Sequence, residues 1–329
     1  MDLTQKEILI QNEFETLLPG IKVRSARAGS KTKVSNSLYC ILPENSNLRN
    51  SQYYYEENAN LIHFTNLEAL KSILKSKVLR LYNLNNLNDP REFSFAGDLL
   101  TYNRNNRDDA KENMYLLSMC KTDVLTRHPQ FEFNMWRLYG DYGNGVAIEL
   151  SFNNSQLGEL KDYYLSEVFY GASSRVKLKE VSKLLHKYRN ETPSIEVDLG
   201  QIVAFHKSNL YKLESEVRLL FDNRSNKLHS STIYSNHEGN LSPIIMNDSI
   251  KSESSRRLVK YLELPIFQNE IEPISTCIPV HKIQRIILGH AYKDKFKRRS
   301  KEIESLKNSD LGYEIPVELS RLAKYYYER

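Results

Sequence analysis

Short stretches in which apolar residues alternate are interleaved, at irregular spacing, with stretches in which they recur every three to four positions. The first period belongs to half-buried strands and the second to amphipathic helices, so the chain has to build a sheet and cover it with helices. The clearest junction lies at 60–77. Residues 60–65 (Asn-Leu-Ile-His-Phe-Thr) read as a strand, and 66–77 as a helix with Leu67, Leu70, Ile73 and Leu74 on one face. Thr65 and Glu68 form a Thr-x-x-Glu capping box that places the helix start there. Further strands are expected at 78–82, 114–120, 146–152, 164–170, 213–222, 258–266 and 276–289. Helices are expected at 4–18, 95–113, 131–139, 174–190, 197–213 and 291–307. No regular β-α-β spacing runs through the series. The pattern predicts an α+β fold: a mixed, largely antiparallel sheet core with flanking helices.

The 329 residues supply one large domain or two modest ones. The first helix stops at Pro19-Gly20 and a polar, basic stretch follows, so 1–50 is expected as an N-terminal extension with a basic arm. Residues 51–329 then form a single α+β domain. Within it, 223–257 hold nine serines and little that packs, and are expected as a mobile insertion. No run approaches the roughly 18 apolar residues of a membrane span. The first residues mix acids among apolar side chains, unlike the basic-then-apolar order of a signal peptide. Cys40, Cys120 and Cys277 are far apart, which excludes a disulfide scaffold and fits a reducing compartment. A cytoplasmic protein without a membrane partner is the expectation.

Lys and Arg outnumber Asp and Glu by 46 to 41. Two clusters carry the excess: Lys22, Arg24, Arg27, Lys31 and Lys33 with no acid from 22 to 43, and Lys293, Lys295, Lys297, Arg298, Arg299 and Lys301 interrupted by Asp294. Either could meet phosphates; each also fits a solvated arm or an outer helix face. The chain has no GxxxxGK[ST] phosphate loop, no GxSxG elbow, no CxxC pair and no HExxH zinc helix. No metal site is expected.

Several constellations carry possible chemistry. His63 and Thr65, on one side of a strand that ends at a helix, can offer an imidazole and a hydroxyl to a ribose or carboxamide; they also fit a core histidine and a helix cap. In Glu214-Ser-Glu216-Val-Arg218-Leu-Leu-Phe221, strand geometry puts Glu214, Glu216 and Arg218 on one face. Paired carboxylates with an arginine suit a glycosyl transfer, in which positive charge develops at the anomeric carbon. The same residues fit a structural ion pair, or an i, i+4 pair on a continuing helix. Asn88-Asp89-Pro90-x-Glu92 can project a carboxylate from a turn or simply cap it. Trp136 and Tyr139 are aromatic at helical spacing, as core or as a stacking platform.

Taken in order, Ile62-His-Phe-Thr-Asn-Leu67, Leu87-Asn-Asp-Pro-x-Glu92, Met135-Trp-x-x-Tyr139, Gly145-Val-Ala-Ile-Glu-Leu150, Lys207, Tyr211, Glu214-x-Glu216-x-Arg218 and Ile286-Ile-Leu-Gly289 resemble a bacterial family known as domain of unknown function 2971. The opening also resembles, more distantly, ADP-ribosyltransferases of the DarT and PARP-like kind. That resemblance implies an ADP-ribosyltransferase-like core that uses NAD as substrate. It implies His63 as an NAD-binding residue, Glu216 as catalytic glutamate and Glu214 as orienter of the acceptor; Thr65, Asn66, Tyr82 and Arg218 complete the expected NAD-binding set. Asn88, Asp89, Glu92, Trp136 and Tyr139 stay as further candidates. The expected function is an NAD-dependent ADP-ribosyltransferase or NAD glycohydrolase of a toxin or antiphage system, its acceptor a nucleic acid or a protein. A partner protein from the same defence system fits this setting. The alternatives are a non-catalytic sensor working with a partner, and a metal-dependent nuclease. An enzyme requires His63 and Glu216 to converge on one pocket.

Overall fold

A computed structural model of the chain describes residues 3–20, 22–30, 33–41, 51–55, 60–87, 92–100, 104–153, 157, 160, 162–171, 177–191, 197–224, 245–248, 259–266, 279, 281–307 and 314–325. In chain order the elements are α1 (Leu3–Leu17), β1 (Lys22–Ser30), β2 (Lys33–Ile41), β3 (Leu61–Thr65), α2 (Leu67–Ser76), β4 (Val78–Asn83), α3 (Glu92–Leu99), α4 (Arg104–Asn113) and β5 (Met114–Lys121). There follow α5 (Pro129–Tyr139), β6 (Val146–Phe152), β7 (Tyr163–Glu167), β8 (Phe169–Tyr170), α6 (Leu178–Glu191), β9 (Val197–Asp198), α7 (Gly200–Ala204), β10 (His206–Lys207) and β11 (Glu216–Asp222). The chain ends with β12 (Ile245–Asp248), β13 (Val259–Pro265), β14 (His281–Leu288), α8 (Phe296–Lys307) and β15 (Val317–Leu319).

Ten strands form the central sheet, in the order β12-β13-β4-β5-β3-β6-β14-β15, with β11 and then β7 attached through β5. Every neighbouring pair is antiparallel except β14 with β15. The fold is thus α+β with a mixed, largely antiparallel sheet. Strand periodicity sorts the side chains onto two faces. Tyr115, Leu117 and Met119 of β5 share one core with Val217, Leu219 and Phe221 of β11 and with Leu67, Leu70 and Leu74 of α2. On the other face Leu116 and Leu220 pack with residues of α1, α3, α6 and α7. Beside them, Ile62, Phe64 and Cys120 pack with Met135 and Trp136 of α5.

The N-terminal helix is part of this body. Ile10, Phe14 and Leu18 are wholly buried in the same core as Leu116 and Phe205. Each such side chain contributes roughly 1.5–3 kcal/mol of burial, so the helix is not a loose extension. The basic arm is a β-hairpin of β1 and β2, joined in parallel by β9. Inside the Ser-rich stretch, β12 adds an edge strand to β13; residues 225–244 and 249–257 lie outside the described ones. The single helix expected at 197–213 is instead α7, β10 and a short turn at Asn209–Glu214. Parallel pairing of His206 with Phe169 takes the backbone that a longer helix would have used. The helix expected at 95–113 divides into α3 and α4. Among the described residues, no helix is long and apolar enough to cross a membrane.

Candidate functional site

β5 pairs along one edge with β11, from Glu216 opposite Cys120 to Asp222 opposite Met114. Its other edge is divided. β3 takes Lys121 and Cys120, and β4 takes Leu116 and Tyr115; Leu117, Ser118 and Met119 pair with neither. From there β3 continues along β6 and β4 along β13, so the sheet forks. The helix that links the two arms, α2, roofs the gap. Its buried leucines serve the core, while Ala69, Ser72, Ile73 and Ser76, at i, i+3, i+4 and i+7, line a cavity of about 580 Å³ in the fork. That volume lies in the small-molecule range.

At one end of the cavity stand four buried charges. Lys207 Nζ lies 2.7 Å from Glu216 Oε2 and 2.9 Å from Glu214 Oε2. Arg218 donates from Nε to Glu216 Oε1 at 2.9 Å and from Nη2 to Oε2 at 3.1 Å, and its Nη1 donates to the Ala204 carbonyl. Tyr139 donates its hydroxyl to Glu214 Oε1, and Ser118 bonds Glu216. The Tyr170 hydroxyl accepts the Glu216 N–H at 2.9 Å. A carboxylate has about four acceptor sites. Glu216 meets Arg218 twice, Lys207 and Ser118, which fills them; Glu214 meets Tyr139 and Lys207 and keeps acceptor capacity.

Electrostatics follow from this packing. Burial pulls Arg218 down to about 9, so it remains charged at neutral pH. Burial also pulls Lys207 down, but Glu216 and Glu214 together outweigh it and its pKa is raised. Burial pushes Glu216 up, Lys207 pulls it back and Glu214 adds to the rise. The Tyr139 phenol is pushed well up, first by burial and then by Glu214, which fixes it as a donor. Across the fork, His63 Nδ1 lies 2.9 Å from the Ser118 carbonyl. A carbonyl only accepts, so Nδ1 carries the hydrogen and Nε2 keeps its lone pair. Burial lowers the His63 pKa against the pull of that bond, leaving a neutral imidazole.

His63, Thr65, Tyr82, Tyr139, Glu214 and Glu216 all line this one cavity. Other expected residues are placed differently. Asn66, not Thr65, caps α2: its Oδ1 accepts the Ala69 N–H at 2.7 Å, while Thr65 stays in β3 opposite Val146. Asparagine is the stronger cap and β-branched threonine suits the strand. Asn66 therefore faces a separate depression with Arg137 and Tyr142. Arg218 is wholly buried behind Glu216 and does not reach the cavity. Trp136 is core: its Nε1 donates to Glu132 at 3.1 Å and its ring meets Phe64 edge-on at 4.9 Å. Glu214 is not on the strand; Ser215, at φ 45°, breaks the alternation between turn and β11. Arg218 accordingly pairs with Glu216 two residues away on the strand, where the expected alternative of a continuing helix does not form. Asn88 and Asp89 lie outside the described residues, as does the side chain of Glu92, which opens α3.

Residue-by-residue reasoning missed Lys207, Tyr211 and Ser118. Lys207 and Tyr211 stood in the ordered motif series, and a lysine directly after Ala204-Phe205-His206 was the available signal that its charge is buried. Among the described residues, no group of three or more His, Cys, Asp or Glu is placed to hold a metal ion.

Residues 135–219 match a family model described as protein of unknown function (DUF2971). The stretch contains Tyr139, Lys207, Glu214, Glu216 and Arg218, so the charged end of the cavity lies inside the match and His63 outside it. No curated protein and no solved structure matches the chain significantly.

Proposed function

We propose that the cavity is the active site of an NAD-consuming glycosyl-transfer enzyme, an ADP-ribosyltransferase or NAD glycohydrolase. The observation that carries this reading is convergence: His63 from β3 and the Glu214–Glu216 pair, some 150 positions later, line one small-molecule cavity. In this reaction the bond from ribose C1′ to the pyridinium nitrogen breaks. The nitrogen keeps the electron pair, nicotinamide leaves neutral, and C1′ becomes an oxocarbenium that water or an acceptor attacks, losing a proton. Glu214, with acceptor capacity to spare, takes a ribose hydroxyl and offsets the developing charge. Glu216, tied to Arg218 and Lys207, positions it; this exchanges the roles that resemblance alone implies. His63 offers Nε2 as an acceptor to a second hydroxyl.

The test is nicotinamide release from NAD by the purified chain, with and without cellular RNA, DNA and lysate. Release is expected, and Glu214→Gln is expected to lower it about 100-fold or more, as for loss of a principal transition-state contact, while circular dichroism stays unchanged. No release under any of these conditions overturns the reading in favour of a non-catalytic sensor. The Glu214–Lys207–Glu216 grouping has the residue types of a metal-dependent nuclease, but its ammonium already sits within 2.9 Å of both carboxylates, where a divalent cation would go. Nucleic-acid cleavage that requires a divalent cation would reverse that preference.

A further inference from the structure

The charges that line the cavity are unequal in their company. Glu214, Glu216 and Lys207 neutralise one another with Arg218 behind them. Arg80, on β4, also lines the cavity. Its cross-strand neighbour on β13 is Glu263, yet among the described residues no carboxylate lies within ion-pair distance of Arg80. Its guanidinium carbon sits 4.1 Å from the centroid of the Tyr261 ring instead. Stacking fixes the guanidinium plane and leaves its N–H edges for a ligand. Among the described residues that line the cavity, Arg80 is thus a positive charge held by a ring rather than by an acid.

The register sets its position. Tyr82 pairs with Leu116 in antiparallel fashion, so two residues back Arg80 is level with Ser118, where the two arms have parted. Ser118 is also the residue whose carbonyl holds His63. Arg80 and His63 thus face each other from opposite arms of the fork. Glu216 pairs opposite Cys120, two residues farther along β5, a step of about 7 Å. A ribose with its 5′ linkage covers a comparable span.

We propose that Arg80 is the anion anchor of this cavity and holds the diphosphate of a nucleoside diphosphate ribose. The nucleotide's identity rests on the reading of the site above; the anion preference rests on Arg80 alone. The planar guanidinium meets two phosphate oxygens through parallel N–H donors. The ribose then lies toward Glu214, and the nucleoside on the far side lies against Tyr82 and Asn86.

Calorimetric titration tests this, with ADP-ribose, adenosine and inorganic phosphate as probes against the full chain and its Arg80→Met and Arg80→Lys variants. ADP-ribose is expected to bind the wild-type chain. Arg80→Met is expected to weaken it by about ten- to a hundredfold, the range for a charge-assisted hydrogen bond. Arg80→Lys should recover part of the loss, adenosine should bind all three alike, and phosphate should bind far more weakly than ADP-ribose. The proposal is overturned if wild type does not bind ADP-ribose, or if Arg80→Met binds it as wild type does. Equal loss of adenosine binding overturns it too, because Arg80 would then only shape the wall, as does phosphate binding as tight as ADP-ribose. Arg80-dependent binding of ADP-ribose without nicotinamide release would keep this inference and overturn the glycosyl-transfer reading.

Discussion

Replacing Lys207 by Met keeps the volume of the side chain and removes the ammonium that joins Glu214 to Glu216. Lys207, Glu214 and Glu216 are each no more than 5 % exposed, so water does not make up the loss. Arg218 still holds Glu216, and Glu214 is left with the Tyr139 hydroxyl alone. Breaking a buried ion pair by removing one partner costs about 3–5 kcal/mol, against a typical domain stability of about 5–15 kcal/mol. The pH dependence has a definite sign. Lys207 has a raised pKa, so its contribution in the wild type is complete below about 10.4, the unfolded value, and fades only at higher pH. Glu216 is already pushed up by burial, and the variant removes the cation that restrains it. A carboxylate raised in the folded state favours folding below its unfolded pKa, and the advantage disappears as pH rises through the folded value. The deficit of Lys207→Met should thus be largest at pH 8 and smaller at pH 5. Urea unfolding at both pH values, followed through the buried Trp136, measures it. Adding Glu214→Gln should recover most of the loss. A deficit below about 1 kcal/mol at both pH values, no more than an exposed pair is worth, or no recovery in the double variant, would show that the Lys207 ammonium does not hold the two carboxylates together.

Two further outcomes are expected. His281 is buried, stacked on Phe152 at 5.7 Å, and burial pulls its pKa down to about 4. Its neutral form supports folding above pH 6.5, and about 3 kcal/mol is withdrawn as pH falls toward 4. His281→Phe should therefore flatten the acid side of the stability profile by that order, and an unchanged acid limb would refute it. Ser72 lines the roof of the cavity. Ser72→Phe should fill the fork and abolish ADP-ribose binding in calorimetry while changing stability little, since Ser72 is exposed and such substitutions usually stay within about 0.5 kcal/mol; full binding by this variant would place the ligand elsewhere.

Much of the fold was legible wherever one period persisted. The strand at Val146–Phe152 has the bounds read from its alternation, and Met114–Lys121 differs by one residue. The face of β11 that carries Glu216 and Arg218 was also readable. What failed were places where two local preferences competed. Thr65 and Asn66 both offer a cap, and only the pairing of Thr65 with Val146 decides between them. Residues 197–213 read as helix by composition, yet the pairing partner of His206 at Phe169 lies over thirty residues earlier and no local pattern reports it. The site shared this division. His63 and the glutamates were visible as residue types, whereas Lys207 and Arg80 gain meaning only from what stands opposite them. Trp136, the most conspicuous candidate by type, is spent on the core.

The buried quartet itself needs a reason, because stability does not supply one. Replacing buried ion pairs by apolar residues of similar volume is often neutral or stabilising by about 1–4 kcal/mol. Here such a replacement would have had simple surroundings: Glu216 and Arg218 lie on the sheet face between the core that contains Leu220 and the one that contains Cys120. Apolar side chains there would join the two. The charges instead sit beside the stretch of β5 that pairs with neither arm of the fork. At that point backbone and side chains face the cavity together. Arg218 and Lys207 hold Glu216 rigid, Glu216 and Tyr139 fix Lys207 and Glu214, and Glu214 alone keeps acceptor sites for something in the cavity. A quartet selected for stability would have left no such capacity at its edge. One arranged to present a single polarised carboxylate to a ligand would leave it where Glu214 has it.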